Sequence, residues 1–382
     1  MLKPFLPALF LLATFPQGPG PAAPAASVVR PGIEVFLSDV PARLRGRGVG
    51  LITNQSATDR TGTPDIDLIA THPDLRLVAL FAPEHGIRGN APAGAKIANE
   101  VDTKTGRPVH SLYMTEDRGP TPEMLEGVDV LVYDLMEVGG RTWTYVSTMA
   151  LSMQAAVRKG IPFVVLDRPN PIGGEIVEGA RLDPRFASFV GMYPIPARHG
   201  MTVGELALLF NQQHGIGADL MVVRAANWRR DQWQDQTGLP WMNPSPNLRS
   251  LAALSSYPGS VYFEGTNIAE GRGTDRPFEQ IGAPWLNAQE VARVMNEKRL
   301  PGIRFAITDR QAYRPVRTAL LLIDEIRRQH PKDFAWRSTI DRLTGSDQAR
   351  QAIDGGTLPA LLDEWDRDAP AFAESRKGFL LY

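Results

Sequence analysis

The sequence predicts an α/β protein whose core is a largely parallel sheet with helices on both faces. Apolar runs of strand length alternate with segments of helical period from residue 33 onward. Several of those runs are apolar throughout, as strands covered on both faces are. Three of them end in a carboxylate, at Glu84, Asp134 and Asp167, each followed by a Gly- or Pro-marked loop. With 382 residues the chain suits about two domains. A further strand–helix series divides it into a targeting segment at 1–26, an α/β unit at 28–215 and a second, smaller α/β unit at 216–382.

The first residues read as an export signal. Lys3 supplies the positive start, 5–15 is an apolar core broken by Pro7, and small residues offer cleavage near Ala26. The apolar run is too short to span a bilayer, so a periplasmic or secreted protein without an integral membrane span is expected. Hydrophobic content of 43% and charged content of 22% are ordinary for a globular chain. A net charge of −1 gives no reason to expect a nucleic-acid partner. Cysteine is absent, which excludes disulfides and thiolate metal sites.

In chain order, 33–37 is a short apolar segment, 49–53 a strand with Asn54 just past it, and 65–71 a helix. Strands follow at 77–81 and 109–113. Thr121, Pro122 and Glu123 read as the start of a helix, and 128–133 as a strand ending in Asp134. The best helix is 143–159, where Trp143, Val146, Ala150, Met153 and Val157 share one face and Gly160 closes it. A strand at 161–166 ends in Asp167. Thr202 and Glu205 form a T-x-x-E capping box before a helix at 206–213, which gives Glu205 a structural job. A strand at 220–224 precedes a long stretch, 228–276, rich in Gly, Pro, Asn and aromatics with little periodicity. A helix at 288–298, a strand at 303–308, a helix at 316–329 and a terminal helix at 349–366 complete the chain.

In parallel sheets ligands bind beyond the carboxyl ends of the strands, so Glu84, Asp134 and Asp167 are expected to meet along one edge. Arg141, at the entry to the 143–159 helix, suits an anionic substrate group, or else an ion pair with Asp134 or Glu137. In 257–285, Glu264, Asn267, Glu270 and Arg272 stand on a Gly-tight backbone among Tyr, Phe and Trp. Aromatic faces beside carboxylates and amides suit a sugar. Gly46-x-Gly48-x-Gly50 precedes its strand and so is not a dinucleotide fingerprint. No G-x-S-x-G is present. His85, His199 and the acids are possible metal ligands, but no H-x-x-x-H or D-x-D spacing among them supports a site, and neither metal nor cofactor is assigned.

The motifs L-I-T-N-Q (51–55), A-P-E-H-G (82–86), L-D-R-P-N-P (166–171), R-H-G-M-T (198–202), S-P-N (245–247), E-G-T-N (264–267), E-G-R-G-T (270–274) and the terminal L-L-Y stand in order from about Gly32 to Tyr382. Together they resemble the exo-β-N-acetylmuramidases of the NamZ type. The resemblance implies a Rossmann-like first subdomain with a cleft against the second. It also implies a glycoside hydrolase that removes terminal N-acetylmuramic acid from the non-reducing end of peptidoglycan fragments. It makes Glu84 the leading catalytic acid, with Asp134 or Asp167 among the partners. Asn54, His85, Arg141, Arg168, Asn170, His199, Asn247, Glu264, Asn267, Glu270 and Arg272 become candidates for the cleft. Burial beside Phe81 and Pro83 would help keep Glu84 protonated, and a second carboxylate would serve as base or nucleophile. The lactyl carboxylate of the sugar would be met by Arg141, Arg168 or Arg272.

Two departures from the family pattern stand out. Met136 and Glu137 replace a Gln and an Asp, and a segment expected between Arg304 and Ile307 is missing. A non-catalytic sugar binder and a metal-dependent hydrolase are the competing readings.

Overall fold

The computed structural model describes residues 28–88, 99–113, 118–297 and 307–382. The targeting segment, most of the strand expected at 303–308 and nearly all of the departure near Arg304 lie outside the described residues.

The strands are β1 (Gly48–Thr53), β2 (Arg76–Ala82), β3 (Glu100–Val101), β4 (Pro108–Ser111), β5 (Val130–Asp134), β6 (Phe163–Leu166), β7 (Glu178–Arg181), β8 (Pro196–Arg198) and β9 (Leu220–Val223). Seven of them form one sheet in the order β3-β4-β2-β1-β5-β6-β9, parallel except for the short edge strand β3. β7 and β8 pair as a separate antiparallel ribbon. Alternation along each strand supplies two cores. Val49, Leu51, Val130, Val132, Val164 and Leu166 pack with Ile33 and Phe36 of α1 (Gly32–Ser38) and Ile66 and Ile69 of α2 (Asp65–Thr71). Ile52, Leu131, Tyr133, Phe163 and Val165 face the other way. There they join α3 (Thr144–Lys159), α4 (Val203–Gln213) and the C-terminal helices in one continuous core.

Those helices are α5 (Leu251–Ser260), α6 (Ala288–Glu297), α7 (Pro315–Gln329), α8 (Ile340–Thr344), α9 (Gln348–Asp354) and α10 (Leu358–Ser375). The first sheet does not stop at residue 215: β9 adds to it beside β6. Beyond β9 the regular elements among the described residues are helical.

Several local expectations change. The apolar 33–37 segment is the helix α1. Thr121 caps only a turn, since Gly127 at φ 73° ends it before a helix can grow. In α3, Trp143 is the residue before the helix, and Val157, in the last turn, is 43% exposed. A helix, α5, stands inside the supposed loop. Pro258 and Gly259 hide its pattern, but the Ser250 hydroxyl caps it by accepting from the Ala253 N–H at 3.0 Å. The terminal helix is two, broken at Gly355 and Gly356.

Candidate active site

From β1 the chain steps outward to β2 and β4, then returns to the other side of β1 with β5, β6 and β9. Where the order reverses, the crossovers diverge and leave a crevice above the carboxyl ends of β1 and β5, with β2 alongside. Glu84 is at that edge. β2 stops at Ala82, Pro83 ends the ladder, and His85 and Gly86 turn the chain with φ of 74° at both. For a histidine that left-handed backbone is strained, and such strain gathers at functional sites.

Three aromatic and hydroxyl groups hold the half-buried Glu84. The hydroxyl of Thr144, the first residue of α3, donates to its Oε2 at 2.8 Å. The Tyr113 hydroxyl is hydrogen-bonded to the same carboxylate. Burial, and then the Glu84 charge, push that phenol up to about 12. The Tyr145 hydroxyl lies 3.1 Å from both the Glu84 and Pro244 carbonyl oxygens, and it accepts from Asn54 Nδ2 at 2.8 Å. Asn54 is therefore behind the wall, fixing Tyr145. Tyr145 in turn fixes the loop that carries the half-buried Asn247.

The facing wall comes from 264–278. The Arg272 guanidinium reaches both Glu264 and Glu270, the second at 2.8 Å, and lies over the Phe278 ring, 4.9 Å from its centre. Burial raises the pKa of Glu264 despite Arg272, and the Glu270 and Glu84 charges push the same way. Asn267 does not join them. Its amide staples the 333–335 loop, donating to the Asp333 carbonyl at 2.7 Å and accepting from the Ala335 N–H at 2.9 Å.

Most other expected site residues are buried structural groups. Asp134, fully buried, takes a two-pronged grip from the Arg168 guanidinium, one contact at 2.8 Å. It lies beside Asp65, whose pKa burial and the Asp134 charge push well above the usual carboxylate range. Asp167 accepts from the hydroxyls of Thr202 and Tyr382 at 2.8 and 2.7 Å, and from the Gly204 and Arg168 N–H groups at 2.8 and 3.0 Å. Burial pushes its pKa up to about 7. Arg141 pairs with neither Asp134 nor Glu137. Its guanidinium donates to the carbonyls of Ala180, Ile195 and Leu343 at 2.8, 3.0 and 3.1 Å, and so clamps α8. Asn170 donates to the Met201 carbonyl at 2.9 Å. His199 accepts from the Met201 N–H on Nδ1 at 3.1 Å, so its Nε2 donates to Glu137, also at 3.1 Å. Met136 is buried, and Glu137 serves His199 and the Gly139 N–H, so the two replaced residues of the first departure are packed into the structure.

A cleft of about 490 Å³ opens against Glu264, Glu270 and Arg272, and its other walls are residues the sequence did not single out. They include Arg118, Phe189, Arg337, Thr339 and Arg342. Arg118 lies over Phe189 at 4.7 Å, and Phe189 packs 6.0 Å from Tyr113, so this wall is continuous with the one holding Glu84. Arg118, on the cleft wall, has a left-handed backbone too (φ 48°), as does Phe278 beneath Arg272 (φ 65°).

Comparison with known proteins agrees with the resemblance seen in the sequence. The family model for the N-terminal part of the exo-β-N-acetylmuramidase NamZ matches residues 49–252. Its C-terminal counterpart matches in two pieces, 255–307 and 302–382, which overlap near the expected gap at Arg304–Ile307. The peptidoglycan β-N-acetylmuramidase NamZ of Bacillus subtilis (strain 168) is 42% identical over 379 residues, 93% of this chain and 91% of that protein. Two crystal structures of DUF1343 family proteins from Bacteroides fragilis NCTC 9343 superpose with TM-scores of 0.86 and 0.75, at 32% and 29% identity. They cover 94% and 93% of this chain, and 100% and 99% of their own. The chain therefore belongs to the NamZ family of exo-β-N-acetylmuramidases and is, by that membership, a glycoside hydrolase.

Proposed function

We propose that this chain releases terminal N-acetylmuramic acid from the non-reducing end of peptidoglycan fragments, with Glu84 as proton donor and Glu264 as the second carboxylate. The observation that carries the reading is the placement of the two acids: Glu264 lines the cleft of about 490 Å³, and Glu84 is held by Thr144 and by Tyr113, whose ring packs on the Phe189 wall of that same cleft. Thr144 and Tyr113 hold the Glu84 carboxyl while it hands its proton to the leaving glycosidic oxygen. Glu264, held by Arg272, is the second carboxylate and acts on the opposite face of the sugar ring. Asp134 and Asp167 take no direct part; their hydrogen bonds hold the strand ends that shape the crevice. We place the reaction in the periplasm or outside the cell, on the export signal read at 1–26.

The test compares a natural disaccharide, N-acetylmuramyl-N-acetylglucosamine, with a 4-nitrophenyl glycoside whose leaving group needs no proton. Glu84→Gln is expected to lose about 10²- to 10⁴-fold on the disaccharide and far less on the activated glycoside. Glu264→Gln is expected to lose on both. Loss on both substrates in Glu84→Gln would reverse the two roles. Activity abolished by EDTA would favour the metal-dependent reading instead.

A further inference from the structure

We propose that Arg118, Arg337 and Arg342 form a carboxylate-binding subsite beside the catalytic crevice, taking the acidic substituent carried by the terminal sugar. The inference rests on the muramidase reading for the identity of the sugar. It does not rest on that reading for the chemistry of the site.

The cleft of about 490 Å³ is lined by four arginines and two glutamates. Arg272 is spent on Glu264 and Glu270. Among the described residues no carboxylate pairs with Arg118, Arg337 or Arg342, so four guanidiniums against two carboxylates leave the lining with a surplus of positive charge. Elsewhere on this protein exposed arginines commonly find an acid, as Arg310 does with Asp235 and Arg350 with Asp341. Like charges gathered without a partner repel one another, and an anion in their midst relieves that repulsion. Planar guanidiniums are suited to carboxylates through paired hydrogen bonds.

The three cations are also built into place. The Arg337 N–H donates to the Gly265 carbonyl at 2.8 Å, and the Thr339 hydroxyl donates to the Glu264 carbonyl at 3.3 Å. Gly265 admits this approach because a Cβ there would come within 2.7 Å of Ile340. Arg342 rides on α8, which Arg141 clamps through the Leu343 carbonyl. Arg118 is stacked on Phe189, one ring away from Tyr113 and hence from Glu84. A sugar seated between Glu84 and Glu264 would therefore present its ring substituent to this wall. The carboxylate has two possible sources: the lactyl ether of the sugar itself, or the free acids of a peptide attached to it.

The experiment uses three 4-nitrophenyl β-glycosides: of N-acetylmuramic acid, of its neutral methyl ester, and of the sugar bearing a tripeptide. Wild type and the variants Arg118→Gln and Arg337→Gln/Arg342→Gln are compared by kcat/KM. Calorimetric titration with the three corresponding free sugars gives a readout that needs no turnover. The subsite predicts that the wild type prefers an acidic form over the ester. It also predicts that the variants lose about 10- to 100-fold on that form, chiefly in KM, while the ester is unaffected. Added salt should erode the same preference. Loss on the free acid identifies the lactyl group as the source, and loss on the tripeptide form alone identifies the peptide. Equal handling of acid, peptide and ester by the wild type, a uniform loss on all three, or no binding of any overturns the proposal. A protein that hydrolyses all three without discrimination keeps its muramidase activity and loses the subsite. One that binds the acid selectively but hydrolyses nothing does the reverse.

Discussion

Glu84 depends on its neighbours for direction. Thr144 and Tyr113 both bond its carboxyl, and the turn that presents it holds His85 in a left-handed backbone. Thr144→Val removes one donor while keeping shape. On the proposed role of Glu84 it should cut kcat about tenfold with little change in KM, because misdirecting a proton donor slows the chemical step and leaves substrate binding intact. Steady-state kinetics on the natural disaccharide check this, and rescue by Thr144→Ser would mark the hydroxyl as the cause. At the same scale Arg141 has the opposite character. It touches no acid, and its carbonyl partners at Ile195 and Leu343 are buried with it while that at Ala180 is partly buried. Arg141→Met would strand those carbonyls, costing about 1–3 kcal/mol for each one left unsatisfied. Urea unfolding should show the loss in its midpoint.

Elements decide where these residues stand. β2 carries Glu84 to the edge, α3 brings Thr144 and Tyr145 to meet it, and the 3-10 turn after α5 delivers Glu264 from the far side. α5 reaches that position by packing hard on α7. A Cβ on Gly259 would lie 2.0 Å from the Pro315 carbonyl oxygen, so the two helices touch backbone to backbone. Gly259→Ala should therefore destabilise the protein by about 1–3 kcal/mol and displace Glu264 as well. A lowered melting temperature together with reduced kcat is the expected signature. Reduced kcat at unchanged stability would disprove the packing account.

Over the whole molecule, buried acids tie distant segments together and make stability depend on pH. Asp167, at the end of β6, holds the hydroxyl of the final residue, Tyr382, and that ring packs edge-on against Trp228 at 5.0 Å. Glu178, on β7, accepts from the Arg317 N–H of α7 at 2.8 Å. Burial pushes both carboxyls up to about 7, from ordinary values of 3.8 and 4.5. The folded state thus keeps protons that the unfolded chain has released. That contribution to stability is full below about pH 4 and is lost as pH rises toward 7. Melting temperatures measured across this window should fall with rising pH on this account, and Asp167→Asn should flatten the slope.

Much of the frame was legible in the sequence, because strand runs, caps and glycine stops are local signals. The 49–53, 77–81 and 161–166 runs, the Thr202 capping box and the Gly160 stop all stand where the pattern put them. The position of Glu84 was legible for the same reason, since Pro83 ends β2 and leaves the acid just past the carboxyl end of its strand. The fate of Asp134 and Asp167 was not. Both end strands as Glu84 does, but only three-dimensional packing reveals that Arg168 covers one and Thr202 with Tyr382 the other. Arg141 and Arg342 show the same limit from the cationic side. A sequence presents two arginines, and long-range packing buries one among carbonyls while leaving the other open to a cleft. Periodicity and end signals act over a few residues, so the sequence by itself determined the alternation of elements and the edge where chemistry belongs. Which charge is neutralised and which stays available depends on partners up to 215 residues away, as for Asp167 and Tyr382, and only the tertiary structure decided it.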